Sequence, residues 1–78
     1  MLFQIWRSRM QRKKVSSSNI SSIGYDESSR ILEIEFNNGS IYQYLDVPKA
    51  KFVALMNADS HGKYLAAEIK DVYRYRRL

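Results

Sequence analysis

The chain has 78 residues, a formal net charge of +5 and no cysteine. A chain of this length forms one small domain with a thin hydrophobic core, because only about 60% of its unfolded surface can be buried. The composition excludes disulfides and thiolate metal sites, and it leaves no room for a catalytic cleft between two lobes. No apolar segment reaches the roughly 20 residues of a membrane-spanning helix, so we expect no integral membrane segment and a cytoplasmic location.

The positive charge lies at the two ends of the chain. Residues 1–15 hold five Lys or Arg and no acid, whereas residues 16–59 hold three cations against six acids. Residues 60–78 hold five cations against two acids. Basic ends on an acidic body suit a polyanionic partner such as nucleic acid. The alternative is that the basic ends only keep a small protein soluble.

Residues 1–14 are predicted to be a basic N-terminal extension that is disordered. Leu2, Trp6 and Met10 would align on one face of a helix, although Arg9 interrupts that apolar arc. A basic amphipathic helix of this kind binds anionic lipid or a partner, and this alternative stays open. The serine run that follows separates the extension from a folded domain at residues 15–78.

Three segments are predicted as strands, namely 20–25, 30–36 and 40–45, and the second alternates apolar and polar residues in the way typical of a half-buried strand. In the second segment, Leu32, Ile34 and Phe36 share one face. Glu33 and Glu35 share the other face, which we expect to be exposed to solvent because carboxylates are seldom buried.

The loop at residues 37–39 decides which face of the sheet the following tyrosines occupy. A three-residue loop with its glycine in the left-handed region pairs Ile34 with Tyr42 and Leu32 with Tyr44. A two-residue loop would shift the register by one residue and place an amide side chain in the apolar face. We therefore predict the three-residue loop, with both tyrosines on the apolar side.

Two helical segments follow from Pro48 onward, and Pro48 itself suits the start of a helix. Ser60 is a natural N-cap for the second helix, which we expect to run to about Val72. The predicted fold class is therefore α+β: a three-stranded antiparallel β-sheet followed by two α-helices packed on one face, in a single small domain.

Short motifs along the chain, taken together in their order and spacing, resemble the KTSC domain. The matching pieces are Val15-Ser-Ser-Ser-Asn-Ile20, Gly24-Tyr25-Asp26, Phe36-Asn-Asn-Gly39, Tyr42-Gln-Tyr44, Val47-Pro48, Ala58-Asp-Ser-His-Gly62, Tyr64 and Tyr73-Arg-Tyr-Arg-Arg77. This small module is found at the C-terminus of some lysyl-tRNA synthetases and as free-standing bacterial proteins. RNA binding has been proposed for the family, so the resemblance implies a nucleic-acid-binding module and favours RNA over DNA.

The segment 73–77 is the strongest candidate for a binding site, because it interleaves arginines with tyrosines. Arginines bind phosphates with two parallel hydrogen bonds, and aromatic rings stack on bases without regard to sequence. The alternative is a solvated tail with a single tyrosine packed on the sheet. The candidate nucleic-acid-binding residues are Arg74, Arg76, Arg77, Lys63, Lys70, Tyr73, Tyr75, Tyr42 and Tyr44.

Two points have alternatives: the position of Tyr42 and Tyr44, and the class of partner that the sheet binds. Tyr42 and Tyr44 either form a stacking platform for bases or pack at the edge of the core, and the predicted register favours the core. The alternative to nucleic-acid binding is a protein–protein interaction module that uses the outer sheet face or a strand edge.

No group of residues predicts catalysis. Asp59, Ser60 and His61 are adjacent in the chain, so the histidine cannot lie between the other two as a catalytic base must. A single histidine and no cysteine give no metal site with zinc-ligand spacing. We therefore expect a protein that is not an enzyme and that needs no cofactor and no metal.

Overall fold

The computed structural model describes residues 10–78. For residues 1–9, the prediction of a disordered extension lies outside the described residues. The strands are Lys13–Lys14 (β1), Ile20–Asp26 (β2), Ile31–Phe36 (β3), Ile41–Tyr44 (β4) and Tyr75–Arg77 (β5). The helices are Lys49–Met56 (α1) and His61–Tyr64 (α2), and α2 continues directly into a π-helical turn at Leu65–Ile69. Within residues 10–78, no helix is long and apolar enough to cross a membrane.

The sheet has five antiparallel strands in the order of the chain, so the prediction of three strands was wrong, whereas the α+β class is correct. The two additional strands, β1 and β5, lie at the sheet edges and come from segments that we predicted as extension and tail. Neither is long enough to show alternation, and their residues are mostly cations. Such edges form because free backbone groups of the neighbouring strands need partners, which hydrophobic periodicity does not report.

The predicted hairpin register is confirmed. Leu32 pairs with Tyr44 and Ile34 pairs with Tyr42, so all four side chains share one face of the sheet. Gly39 has a φ of 92°, and its N–H donates to the carbonyl of Phe36 over 2.9 Å. The glycine therefore closes a three-residue loop that holds the two tyrosines on the apolar side.

The second helix begins as predicted and ends earlier. The Ser60 hydroxyl accepts a hydrogen bond from the Lys63 amide over 3.2 Å, which is the predicted N-cap. The Lys70 amide donates to the carbonyl of Leu65 over 2.8 Å, five residues back, and this bond defines the π turn. Helical structure stops at Ile69, and Val72 lies 63% exposed in the turn that leads to β5.

The hydrophobic core lies between the helices and one face of the sheet, which we call the helix-side face. Strands β2 to β4 present apolar side chains to it, and α1, α2 and the π turn cover these chains. The buried core residues are Ile20, Ile23, Leu32, Ile34, Tyr44, Val47, Leu55, Leu65 and Ile69.

The opposite face, which we call the outer face, is polar and nevertheless largely buried. Glu33 has no exposed surface, so the prediction that its carboxylate meets solvent was wrong, whereas Glu35 is half-buried. Gln43, which pairs with Glu33 across the sheet, is 8% exposed. The cause is Arg12, which crosses the outer face and pairs with the Glu33 carboxylate. Its Nε also donates to the hydroxyl of Ser22 over 2.9 Å.

Glu33 is the centre of a hydrogen-bonded row that runs across the outer face. On one side its carboxylate accepts from Arg12, and on the other it accepts from Nε2 of Gln43 over 2.8 Å. The Gln43 side-chain oxygen in turn accepts from Nε of Arg76 over 2.8 Å. This row therefore joins the segment before β1 to β5, at the far edge of the sheet.

Gly24 allows the N-terminal segment to lie close against the sheet. A Cβ atom at this position would come within 2.7 Å of the Gln11 carbonyl oxygen and 2.9 Å of Cγ of Arg12. Real Cβ atoms do not approach a backbone oxygen this closely. The absence of a side chain here is therefore a condition for Arg12 to reach Glu33.

Arg12→Ala should lower the free energy of unfolding by about 3 kcal/mol, because it leaves a buried carboxylate without its cation. Urea denaturation measures this quantity. Lys14→Ala is the matched control, because it removes an exposed cation of the same segment and should change the free energy by less than about 0.5 kcal/mol. Equal effects of the two substitutions would show that the ion pair does not stabilise the fold.

Gly24→Ala should destabilise the domain by about 1–3 kcal/mol, the usual effect of overpacking at a closely packed position. Gly62→Ala makes the same chemical change in α2, where the nearest atom to the new methyl group would be the flexible Asn19 side-chain nitrogen at 3.3 Å. It should cost less than Gly24→Ala in the same urea titration. A neutral Gly24→Ala would mean that the N-terminal segment does not pack on the outer face.

Candidate nucleic-acid interface

Three tyrosine rings meet on the helix-side face where β4 pairs with β5. The ring of Tyr42 stacks on that of Tyr75, with centroids 5.3 Å apart and an interplanar angle of 29°. Tyr44 lies 6.4 Å from Tyr42 and 5.9 Å from Tyr75. Phe36 contacts Tyr42 edge-on at 5.4 Å. We call the three tyrosines the tyrosine cluster.

Two open depressions meet at this cluster, and together we call them the tyrosine groove. Both are lined by Tyr42, Tyr44 and Lys70, so Lys70 stands where they join. The larger arm, of about 570 Å³, is completed by Asp71, Val72, Tyr73, Arg74 and Tyr75. The smaller arm, of about 310 Å³, is completed by Asn19, Ile20, Phe36, Asn38, Ser40, Gly62, Leu65 and Ala66.

The three rings differ in exposure, and this bears on whether Tyr42 and Tyr44 belong to the core or to a binding surface. Tyr44 is 4% exposed and belongs to the core, while Tyr42 is half-buried at its margin. Tyr75 is 59% exposed. Tyr75 is therefore the ring that a flat ligand can reach most easily, whereas the Tyr42 ring is already in contact with Tyr75, Tyr44 and Arg77.

The structure places three predicted cations around the groove. The Arg77 guanidinium lies over the ring of Tyr42, with its central carbon 5.9 Å from the centroid. Lys70 follows the π turn and lines both arms. Arg74 lines the larger arm and forms an ion pair of 3.6 Å with Asp46, in which both side chains are highly exposed. An ion pair this exposed contributes little and leaves Arg74 available to another anion.

The remaining predicted residues lie elsewhere or have a supporting role. Arg76 points to the outer face, because residues alternate along β5, and it is bound to Gln43. Lys63 is exposed on α2 and lines neither arm. Tyr73 is half-buried against the core and forms part of the wall of the larger arm.

Several groove residues were missed from the sequence. Asp71 lies in the larger arm beside the predicted cations, and Asn19 and Asn38 line the smaller arm. For Asp71 the signal is the pairing of β5 with β4, which brings the segment before β5 close to Tyr42 and Tyr44. No sequence signal pointed to Asn19 or Asn38. With β5 predicted as a tail, nothing in the sequence pattern connected Asp71 to Tyr44.

The described residues also show what surrounds His61. Its Nδ1 lies 2.9 Å from the carbonyl oxygen of Leu55, so the ring joins the two helices. Within residues 10–78, no three His, Cys, Asp or Glu side chains lie close enough together to hold a metal ion.

Burial raises the pKa of the Tyr44 hydroxyl above its ordinary value of 10.0, and the neighbouring Tyr42, Tyr75 and Asp71 add to the effect. The cause is that a phenolate loses hydration in this position and would stand beside other negative groups. At neutral pH the Tyr44 hydroxyl therefore keeps its proton as a hydrogen-bond donor.

The phenolate absorbance of the wild type minus that of Tyr44→Phe should titrate with a midpoint above pH 10.0. Since the native state holds this proton more tightly than the unfolded chain, the stability that it contributes is complete below about pH 10 and is lost as the pH rises through the native pKa. Urea denaturation at increasing pH should show this loss in the wild type and less of it in Tyr44→Phe. A difference titration centred at or below pH 10 would contradict the burial of Tyr44.

The same fold occurs in a solved structure, and the family model confirms the resemblance. The KTSC domain model matches residues 16–73. The crystal structure of a KTSC domain protein from Yersinia pestis superposes with a TM-score of 0.84 at 46% identity. The match covers 88% of this chain and 97% of that one.

Relatives by sequence include free-standing chains and parts of larger ones. A protein of Stutzerimonas stutzeri is 41% identical over 70 residues, which are 88% of this chain and 99% of that protein. A lysine–tRNA ligase of a Nostoc species is 37% identical over 65 residues, which are 83% of this chain and 12% of the ligase. Because the family model and these relatives each cover most of its length, the chain belongs to the KTSC domain family.

Proposed function

We propose that the protein binds single-stranded nucleic acid in the tyrosine groove and catalyses no reaction. RNA is the preferred ligand and DNA the weaker one. The bases stack on the exposed ring of Tyr75, which Tyr42 backs, and the phosphates contact the cations around the groove.

The observation that carries this proposal is the stack of Tyr42 on Tyr75 with the Arg77 guanidinium over the first ring. An aromatic platform accepts any base, since every base has a π face, and each stacked base contributes about 1–3 kcal/mol. A guanidinium beside the rings supplies both a phosphate contact and a cation–π contact. These two components are what binding to a single strand without sequence preference requires.

The charge on this side of the molecule supports the same ligand. Lys70 and Arg74 line the groove, Arg77 lies over the Tyr42 ring that forms part of its wall, and the one acid among the lining residues is Asp71. We therefore propose a smaller contact set than the sequence predicted. Arg76 is engaged on the outer face, and Lys63 lies outside the groove.

The preference for RNA rests on analogy. The Nostoc relative is a lysine–tRNA ligase, and its matching segment is a small part of that protein. An enzyme of this name acts on an RNA, so a module appended to it fits RNA better than DNA. Fold and family alone do not assign the ligand, and the experiment below compares both.

The alternative of a protein–protein interaction module has weaker support. Glu33 and Gln43 of the outer face are buried by their own hydrogen bonds. The two sheet edges, β1 and β5, are short and basic, and these features discourage pairing with another strand. A protein partner is thus the expectation only if nucleic acid does not bind.

Fluorescence anisotropy with labelled single-stranded RNA, single-stranded DNA and duplex DNA tests the proposal. If Arg77, Lys70 and Arg74 each neutralise one phosphate, log affinity should fall against log salt with a slope of about −2. The double variant Arg74→Ala, Arg77→Ala should bind more weakly and bring the slope to about −0.7. Tyr75→Ala should weaken binding roughly tenfold through lost stacking, with little change in slope.

The matched control is Lys13→Ala, Lys14→Ala, which removes the same charge from the opposite edge of the sheet. It should leave the slope near that of the wild type. Equal losses in the two double variants would mean that the groove is not the site. No binding of any of the three ligands at low salt would overturn the proposed function and direct the search to protein partners.

A further inference from the structure

We propose that the larger arm of the tyrosine groove is a base-reading subsite and that Asp71 selects guanine there. This inference rests on the proposed function and adds a base preference to it. In this arrangement the aromatic rings stack on bases, the cations contact phosphates, and the single carboxylate of the groove selects the base.

The placement of Asp71 is the first observation. It follows Lys70 directly after the π turn, and both residues line the larger arm opposite Tyr42 and Tyr44. The Lys70 amide donates a hydrogen bond to the Leu65 carbonyl, and Leu65 and Ile69 are buried. These contacts fix the backbone before Asp71 to the core. Lysine and aspartate therefore present a donor and an acceptor side by side at one wall of the arm.

The state of the carboxylate is the second observation. Asp71 is exposed in the groove and forms no ion pair within residues 10–78, although Arg74 lines the same arm. A negative charge in a groove built only for phosphates would repel its ligand. The carboxylate instead suits a ligand atom that donates a hydrogen bond, such as a base edge offers.

The Tyr44 hydroxyl is the third observation. Its side chain lines both arms, and Asp71 lines the larger arm with it. The hydroxyl has no hydrogen-bond partner among residues 10–78 and yet is not sealed from solvent. The arm thus offers two donors, the Tyr44 hydroxyl and the Lys70 ammonium, beside one bidentate acceptor.

Guanine matches this set of groups best. Its N1–H and N2–H groups point the same way and can donate to the two oxygens of one carboxylate, while O6 beside them accepts from an ammonium or a hydroxyl. The Watson–Crick edge of adenine or cytosine presents one amino donor, and that of uracil presents one N–H. Each of these three leaves one carboxylate oxygen without a partner, which lowers affinity.

The test uses a labelled RNA of ten uridines and three versions in which the two central uridines are replaced by guanines, adenines or cytosines. Anisotropy should show the guanine version binding about tenfold more tightly than the others, within the range of a good bidentate base contact. In Asp71→Asn, the advantage of guanine should fall below about twofold, while the all-uridine strand binds as well as before or better.

Asp59→Asn is the matched control, because it removes an exposed acid that lines neither arm. It should keep the preference for guanine, which separates base reading from a general effect of charge. Arg74→Ala should weaken all four strands by the same factor, since a phosphate contact carries no sequence information.

The outcomes separate this inference from the proposed function. Equal binding of the four strands by the wild type would overturn the guanine subsite and leave the groove as a sequence-tolerant site. A guanine preference that survives in Asp71→Asn would overturn the role of Asp71. No binding of any strand would overturn both the subsite and the proposed function.

Discussion

The buried carboxylate of Glu33 is the constraint on which the arrangement of the sheet depends. A charge without exposed surface needs a cation and hydrogen bonds from fixed directions. Arg12 and Gln43 supply them, and Arg76 extends the row to β5. The outer face therefore helps to hold both edge strands in place, although β1 has no hydrophobic side chain and β5 has only Tyr75. Apolar residues in place of this row would still bury surface, but they would not make the directional hydrogen bonds that hold the strands in position.

The same alternation that sends Arg76 to the outer face sends Tyr75 and Arg77 to the groove. β5 has three residues, and all three have assigned contacts: Arg76 binds Gln43, and Tyr75 and Arg77 both contact the Tyr42 ring. The polar row on one face and the candidate site on the other are thus two sides of a single strand pairing. This explains why the basic C-terminal segment is a part of the fold and is not a tail.

Sequence patterns predicted the centre of this fold and failed at its edges. The alternation of Leu32 and Ile34 and the loop glycine gave the correct hairpin register, because local rules determine both. The buried state of Glu33 was not predictable from alternation, since it depends on Arg12, which is distant in the chain. β5 was missed for a related reason: a strand of three mostly basic residues forms by backbone pairing with β4, and no side-chain period reports that pairing. Tyr42 and Tyr75 were each identified as candidates, but their contact in one cluster required the structure.

The order of the strands has a consequence for the energetics of binding. Strands β2 to β4 are joined by tight hairpins, whereas β5 returns to β4 only after both helices, and it pairs through bonds such as that from the Leu45 amide to the Arg74 carbonyl. A short edge strand of this kind opens locally at lower cost than the core unfolds. Since Tyr75 and Arg77 leave the groove when β5 detaches, occupancy of the groove and closure of the sheet are thermodynamically linked. A ligand bound in the groove would therefore stabilise the pairing of β5 with β4.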